Sequence, residues 1–190
     1  VGLITALSSL AAVAQDAPAP AAAAPAAAVT VESPLAAVIA GSWRADSEKA
    51  RDAFRHPAES LEFWGLKPGM SILEVQPGAQ SWWTEILAPY AQRTGGKFYV
   101  TGPDLSNPEL PEGARKSRAA FEARYGAKPD LYGKIDVVNW GAKSAPLPKD
   151  TFDFILTARS VHGWMGQPGM AEKTFKEFYD ALKPGGILAL

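Results

Sequence analysis

No cysteine occurs among the 190 residues. A disulfide framework, a thiol nucleophile and cysteine metal sites are thereby excluded. Only two histidines are present, His56 and His162, which leaves little scope for a histidine-rich metal centre. Neither sign of charge is in surplus, with Lys+Arg 19 against Asp+Glu 20. Nucleic acid and anionic membrane surfaces are therefore not expected as main partners. The apolar run Val1–Val13 falls short of the roughly 20 residues that cross a bilayer, so no stable membrane span is expected. A Gly-x-Gly-x-x-Gly fingerprint is absent, which argues against a nicotinamide-dependent oxidoreductase. What remains is a chain with 47% hydrophobic residues, long enough for one domain with a sizeable core.

The beginning differs in texture from the rest. Residues 1–14 are small and apolar, and Ala12-Val13-Ala14 matches the small-x-small pattern before a signal-peptidase cut. They read as the remnant of a secretory signal peptide. Residues 15–33 are dominated by Ala and Pro, a composition that builds no core and fits an extended linker. Residues 34–190 carry the folded domain. The chain starts at Val1 and stops inside the apolar run Gly186–Leu190, and it reads as a fragment of a longer protein from the periplasm or outside the cell.

The domain is organised around Gly69–Leu87. Ile72, Leu73 and Val75 are strand-type residues, Pro77-Gly78 is a turn, and Trp83, Ile86, Leu87 and Tyr90 recur at helical spacing. Before it, Ser33 with Pro34 predicts a capped helix start. A charged helix is expected over Asp46–Phe54, and another from Pro57 to Trp64. After it come strands at Lys97–Thr101, Lys134–Trp140, Phe152–Thr157 and Ile187–Leu190. Helices are expected at Glu112–Tyr125 and about Gly169–Leu182. Arg115, Lys116, Arg118 and Arg124 read as a solvated helix face. Strands alternating with helices predict an α/β fold: a doubly wound parallel sheet. In such a fold a strand, tight turn and helix present backbone N–H groups to a nucleotide-like cofactor.

Three segments then carry a resemblance. Glu74–Gly78 sits where an acidic-x-Gly-x-Gly-x-Gly loop would follow the first strand. Thr151-Phe152-Asp153-Phe154-Ile155 looks like an "FD-apolar-apolar" fourth strand. Ala181-Leu182-Lys183-Pro184-Gly185-Gly186-Ile187-Leu188 looks like an "LKPGG-apolar" entry to the fifth, the most specific of the three. In this order they resemble class I S-adenosylmethionine-dependent methyltransferases. Arg55–Leu61, Gly65–Met70, Thr84–Tyr90 and Ala158–Met165 resemble recurring segments of a group of secreted bacterial methyltransferases within that class. The resemblance covers about residues 41–190. It implies a Rossmann-like sheet of seven strands, truncated here after the fifth.

It also implies a cofactor, S-adenosylmethionine, and places for it. Glu74 would order the loop and lie near the methionyl amine. Gly78 would permit close backbone approach. Gln76 and Gln80 depart from the pattern, standing where the first and third loop glycines would be. Gln80 would crowd the cofactor or hydrogen-bond to it. Asp104, after the second strand, would accept hydrogen bonds from ribose hydroxyls, or else simply form a turn after Gly-Pro. The third strand ends without an acidic residue, leaving Asn139 to read a base edge. Trp82 and Trp83 open the central helix, one toward the core and one toward the cleft. Arg159 and His162 fall on the substrate side, where His162 would serve as general base or as a structural residue under Trp164. The methyl acceptor, a small molecule, is not specified. A catalytically silent binding domain of the cell envelope on the same scaffold is the alternative.

Overall fold

A computed structural model describes residues 33–190. The signal-peptide and linker readings lie almost wholly outside the described residues. Ser33 accepts a hydrogen bond from the Ala36 amide at 3.0 Å and caps α1 (Pro34–Ile39). The charged helix expected over 46–54 is instead two short pieces, α2 (Asp46–Lys49) and α3 (Asp52–Arg55). The break coincides with a bidentate pair between buried Arg44 and Asp52, at 2.7 and 2.6 Å. His56 stands at φ +43, because Pro57 disfavours the right-handed helix before it, and α4 (Pro57–Phe63) starts afresh.

Alternation then sets in. β1 (Ser71–Val75) leads to α5 (Thr84–Thr94), and β2 (Lys97–Gly102) to α6 (Glu112–Gly126) and a short α7 (Pro129–Tyr132). β3 (Ile135–Asn139) is followed by β4 (Phe152–Thr157), then α8 (Val161–Met165), α9 (Met170–Ala181) and β5 (Leu182–Ala189). Helices α7 and α8 have too few residues for a helical period to stand out in sequence.

The five strands pair in the order β3-β2-β1-β4-β5, all parallel. Apolar side chains pack on both faces. Ile72, Phe98, Val100, Phe154 and Leu156 meet α1, α4 and the buried face of α5. Leu73, Val75 and Ile155 meet Trp164, Phe178 and Ala181 from α8 and α9. The fold is a Rossmann-like doubly wound α/β sheet, as expected. Trp83, Ile86, Leu87 and Tyr90 are all buried, each contributing about 1.5–3 kcal/mol by leaving water. Among the described residues no helix is long and apolar enough to cross a membrane.

The segments Phe152-Asp153 and Lys183–Gly186 meet at the amino end of the sheet. The Asp153 carboxylate accepts from the Ser71 amide and from Lys183 Nζ, both at 2.8 Å. One side chain thus ties the starts of β1, β4 and β5. The Lys-Pro-Gly-Gly turn bulges out of the strand rather than preceding it. Phe152 pairs with Leu182, whereas Phe154 pairs with Ile187. A Cβ on Gly186 would lie 2.9 Å from the Lys183 carbonyl and 3.1 Å from that of Phe152, so the bulge needs glycine there.

Because the chain steps from β1 outward through β2 to β3 and then returns to β4 beside β1, the loops diverge between β1 and β4. That divergence opens a crevice at the carboxyl ends of the strands, where ligands of open α/β sheets bind.

Candidate functional site

The loop after β1 forms the floor of this crevice. Gln76, at the first glycine position, has φ +52, and Gly78 has φ +70. The loop therefore keeps a glycine-type backbone even where its residue is glutamine. Such a residue costs about 1–2 kcal/mol in the left-handed region, and here two contacts hold it. The Gln76 amide donates to Thr101 Oγ1 at 2.8 Å, and its side-chain oxygen accepts from Trp164 Nε1 at 3.2 Å. Ser81 (φ +52) and Arg159 (φ +65) are strained in the same way. Backbone strain of this kind gathers at ligand clamps.

Two cavities share this floor. The larger, about 630 Å³, lies between the loop, the ends of β2 and β3, and α6. Its walls include Val100, Val137, Trp140 and Phe121, with Gly78 and Gly102 on the backbone side. A Cβ on Gly78 would meet nothing within 4 Å, so that glycine serves its φ and leaves space open above it. The smaller cavity, about 390 Å³, lies on the other side of the loop against β4 and the α3 region. Glu74, Trp82, Trp83, Arg51, Arg55 and Arg159 all line it. Both tryptophans are buried and both border this cavity, so they do not divide between core and cleft as the sequence suggests.

Glu74 is the chemically notable residue. It is 3% exposed, and its side chain has one hydrogen bond, from Thr84 Oγ1 at 2.5 Å. Burial pushes its carboxyl up to about 8, against a smaller opposing effect of the Thr84 hydroxyl. At pH 7 it is therefore mostly neutral, and a cation placed beside it would favour its charged form.

The other expected cofactor residues are distributed unevenly. Gln80 lines the smaller cavity, and its side-chain oxygen accepts from Arg51 at 2.8 Å. Asp104 lies just past Gly102 and Pro103, which border the larger cavity. Its Oδ1 accepts from the Ser106 amide at 2.9 Å and hydroxyl at 2.6 Å, a turn of its own. Hydrogen bonds from Ser106 and Ser144 hold its carboxyl below the usual value. Asn139 accepts a hydrogen bond from Arg118 through its side-chain oxygen. His162 is exposed on α8 and borders neither cavity, while Trp164, two residues on, is buried.

Several site residues are not apparent in the sequence. Arg118 and Arg124 border the larger cavity; Arg118 is largely buried and departs from the expected solvated face, whereas Arg124 remains exposed. Arg118 donates to the Pro103 carbonyl at 2.8 Å and also clasps Asn139, joining the ends of β2 and β3. Arg124 pairs with buried Glu85 at 2.6 Å. Their helix is highly charged, and charge alone does not reveal which side faces inward. Arg51 and Arg55 stand four residues apart, the spacing of one helical face, and that was the readable signal for them. Thr84 had none, since its role depends on β1 and α5 being folded against each other.

Residues 74–190 match the model of a family described as a methyltransferase domain. Among curated proteins, a demethylmenaquinone methyltransferase of Lysinibacillus sphaericus is 25% identical over 133 residues, 68% of this chain and 47% of the relative. A ubiquinone/menaquinone biosynthesis C-methyltransferase of Pseudoalteromonas translucida is 26% identical over 124 residues, 65% of this chain and 43% of the relative. The chain thus spans less than half the length of these relatives. A solved structure of an S-adenosylmethionine-dependent methyltransferase from Aquifex aeolicus is 25% identical, with a TM-score of 0.48, covering 71% of this chain and 62% of that one.

Proposed function

The chain belongs to the methyltransferase-domain family, and from that premise we propose that it transfers a methyl group from S-adenosylmethionine to a small-molecule acceptor. The observation that carries this reading is the pair of cavities sharing the Gln76–Gly78 floor, with buried Glu74 in one and apolar walls in the other. The residues fit the cofactor. The larger cavity offers apolar and aromatic surface to an adenosine, and Asn139 and Asp104 stand near its rim. Glu74, neutral and buried, would take the cationic amine and become charged.

When bound, the cofactor supplies an electrophilic methyl on a sulfonium, which an acceptor attacks in line. The chain's own part is then mostly positioning. The left-handed backbone at Gln76 and Gly78 brings the loop close, Trp82 and Trp83 give the smaller cavity aromatic surface, and Glu74 orients the amino end. His162, three residues beyond cavity-lining Arg159, is proposed as base for an acceptor that carries a proton at the attacking atom. Its replacement by Gln should lower kcat and leave cofactor affinity unchanged.

Calorimetry with S-adenosylmethionine and S-adenosylhomocysteine tests the reading. Binding of both is expected, and no heat at high ligand concentration would sink it. The exposure of His162 favours a second reading, a catalytically silent binding domain on this scaffold. Saturable cofactor binding without turnover on any acceptor would support that alternative. The apolar start and Ala/Pro stretch support secretion or a periplasmic location. Fractionation of the full-length protein in a Gram-negative host, with N-terminal sequencing, should find a mature chain beginning at Gln15.

A further inference from the structure

Three arginines converge on the smaller cavity. Arg51 comes from the turn between α2 and α3, Arg55 from the end of α3, and Arg159 from the turn after β4. Their balance of charge is uneven. Arg51 pairs with Glu48 at 2.9 Å, but among the described residues neither Arg55 nor Arg159 has a carboxylate in an ion pair. The acidic group lining the cavity is Glu74, which is mostly neutral at pH 7. Partial burial, followed by the positive charges of Arg51 and Arg159, pushes the Arg55 guanidinium below its usual value, and Glu48 offsets part of this. Like charges are thus assembled at a cost, in a concave site.

The geometry is suited to a planar or tetrahedral anion. Arg55 lies over the Trp82 ring, 4.8 Å from its centroid. Trp82 is itself fixed by its Nε1–H donating to the Glu48 carbonyl at 2.9 Å. Stacking on the face of a guanidinium leaves its N–H edge for an oxyanion, which arginine can grip with two hydrogen bonds. Arg159 is held at φ +65, a backbone state that an arginine does not adopt without constraint.

Resting on the methyl-transfer reading, we infer that Arg51, Arg55 and Arg159 form a subsite for a carboxylate or phosphate group of the methyl acceptor. Glu48 already offsets Arg51 and the cofactor's own carboxylate offsets one more charge, which leaves one of the arginines lining the site for an anionic group of the acceptor. The acceptor is therefore an anionic small molecule, whose charge both retains it and steers it in. This defines a substrate class that neither the family description nor the names of the relatives specify.

Inorganic phosphate is the probe, titrated into the full chain at constant ionic strength and followed by phosphorus NMR or calorimetry. The titration is run with and without saturating S-adenosylhomocysteine. Saturable binding in the millimolar range is expected in both states. It should weaken about five- to tenfold in Arg159→Gln and in Arg55→Gln, while affinity for S-adenosylhomocysteine changes less than twofold. Arg159→Lys, which keeps the charge, should recover part of the phosphate affinity, and circular-dichroism melts confirm folding of each variant. Absence of saturable phosphate binding would overturn the inference. So would displacement of phosphate by S-adenosylhomocysteine, since the arginines would then serve the cofactor's carboxylate. Phosphate binding by a protein that ignores S-adenosylhomocysteine would overturn the methyl-transfer reading, and the acceptor assignment with it, while the anion site itself stood.

Discussion

Glu74 at the end of β1 and Glu85 in the first turn of α5 are buried to the same extent, each 3% exposed. Their surroundings differ completely. Glu85 receives Arg124 at 2.6 Å and the hydroxyls of Tyr132 at 2.6 Å and Tyr125 at 3.1 Å. Every one of those donors comes from α6 or α7, so Glu85 pins the two helices to α5. The carboxylate beside these phenols, after burial itself, helps push both tyrosines above their usual values. Glu74 has the Thr84 hydroxyl alone and faces a cavity. Burial does not distinguish a structural carboxylate from a functional one; the count of permanent partners does.

The largest effect should come from breaking the satisfied side of this comparison. Glu85→Ala leaves two buried phenols without their acceptor and releases the exposed guanidinium of Arg124 to water. Urea unfolding should show a loss of about 2–4 kcal/mol, the cost of leaving two buried hydroxyls without their acceptor. A loss below 1 kcal/mol would mean that water replaces the carboxylate and that the hub is not structural.

Glu74→Gln acts on the other side, through pH. Folding raises the Glu74 carboxyl from 4.5 to about 8, so between those values the folded chain holds a proton that the unfolded chain has lost. Rising pH therefore disfavours the fold, by about 1.4 kcal/mol per pH unit at most, until the loss levels off above the folded value. Glu74→Gln should remove that segment of slope, and stability measured from pH 5 to 8.5 would show it. The same variant should weaken binding of S-adenosylhomocysteine at least tenfold, the scale of one charge-assisted hydrogen bond. In the wild type near pH 7, binding should release close to one proton, read from heats in buffers of different ionisation enthalpy. No proton release would separate Glu74 from the ligand's amine.

These carboxylates also show where the sequence was readable. Glu74 stands out because it interrupts an apolar strand just before a Pro-Gly turn. Glu85 does not, because an acidic residue in the first turn of a helix is ordinary and its partners lie 39 to 47 residues away. The same division holds elsewhere. Strands β1 and β4 and the helix start at Ser33 follow from local pattern, and so does the break at Pro57. The inward turn of Arg118, the pairing of Arg124 with Glu85 and the convergence of Arg51, Arg55 and Arg159 depend on tertiary packing. Asp153 is intermediate. Its motif was visible, but its task of joining three strand starts was not.

A smaller effect tests the backbone of the loop. Gln76 pays for its left-handed φ of +52, so Gln76→Gly and Gln76→Ala should differ by about 1 kcal/mol, with glycine the more stable. Both lose the hydrogen bond from Trp164, so their difference isolates the φ. Inside a helix or strand the order would be reversed. Equal stabilities in denaturant would mean that the loop relaxes away from its left-handed turn.

The smallest effect is expected at Gln80. Only the side chain distinguishes it from glycine in this loop, since Gln80 is not among the residues of positive φ. That side chain is exposed, and Arg51 holds its oxygen at 2.8 Å. It borders the smaller cavity and leaves the larger one clear. Gln80→Gly should therefore change affinity for S-adenosylhomocysteine by less than about threefold, within the few tenths of a kcal/mol typical of an exposed polar contact. The two glutamines in glycine positions are thus not equivalent: one carries backbone strain and the other only a displaceable side chain. A tenfold tightening in Gln80→Gly would show that the glutamine crowds the cofactor. A tenfold weakening would make it a ligand contact, and the site would then extend from Glu74 as far as Arg51.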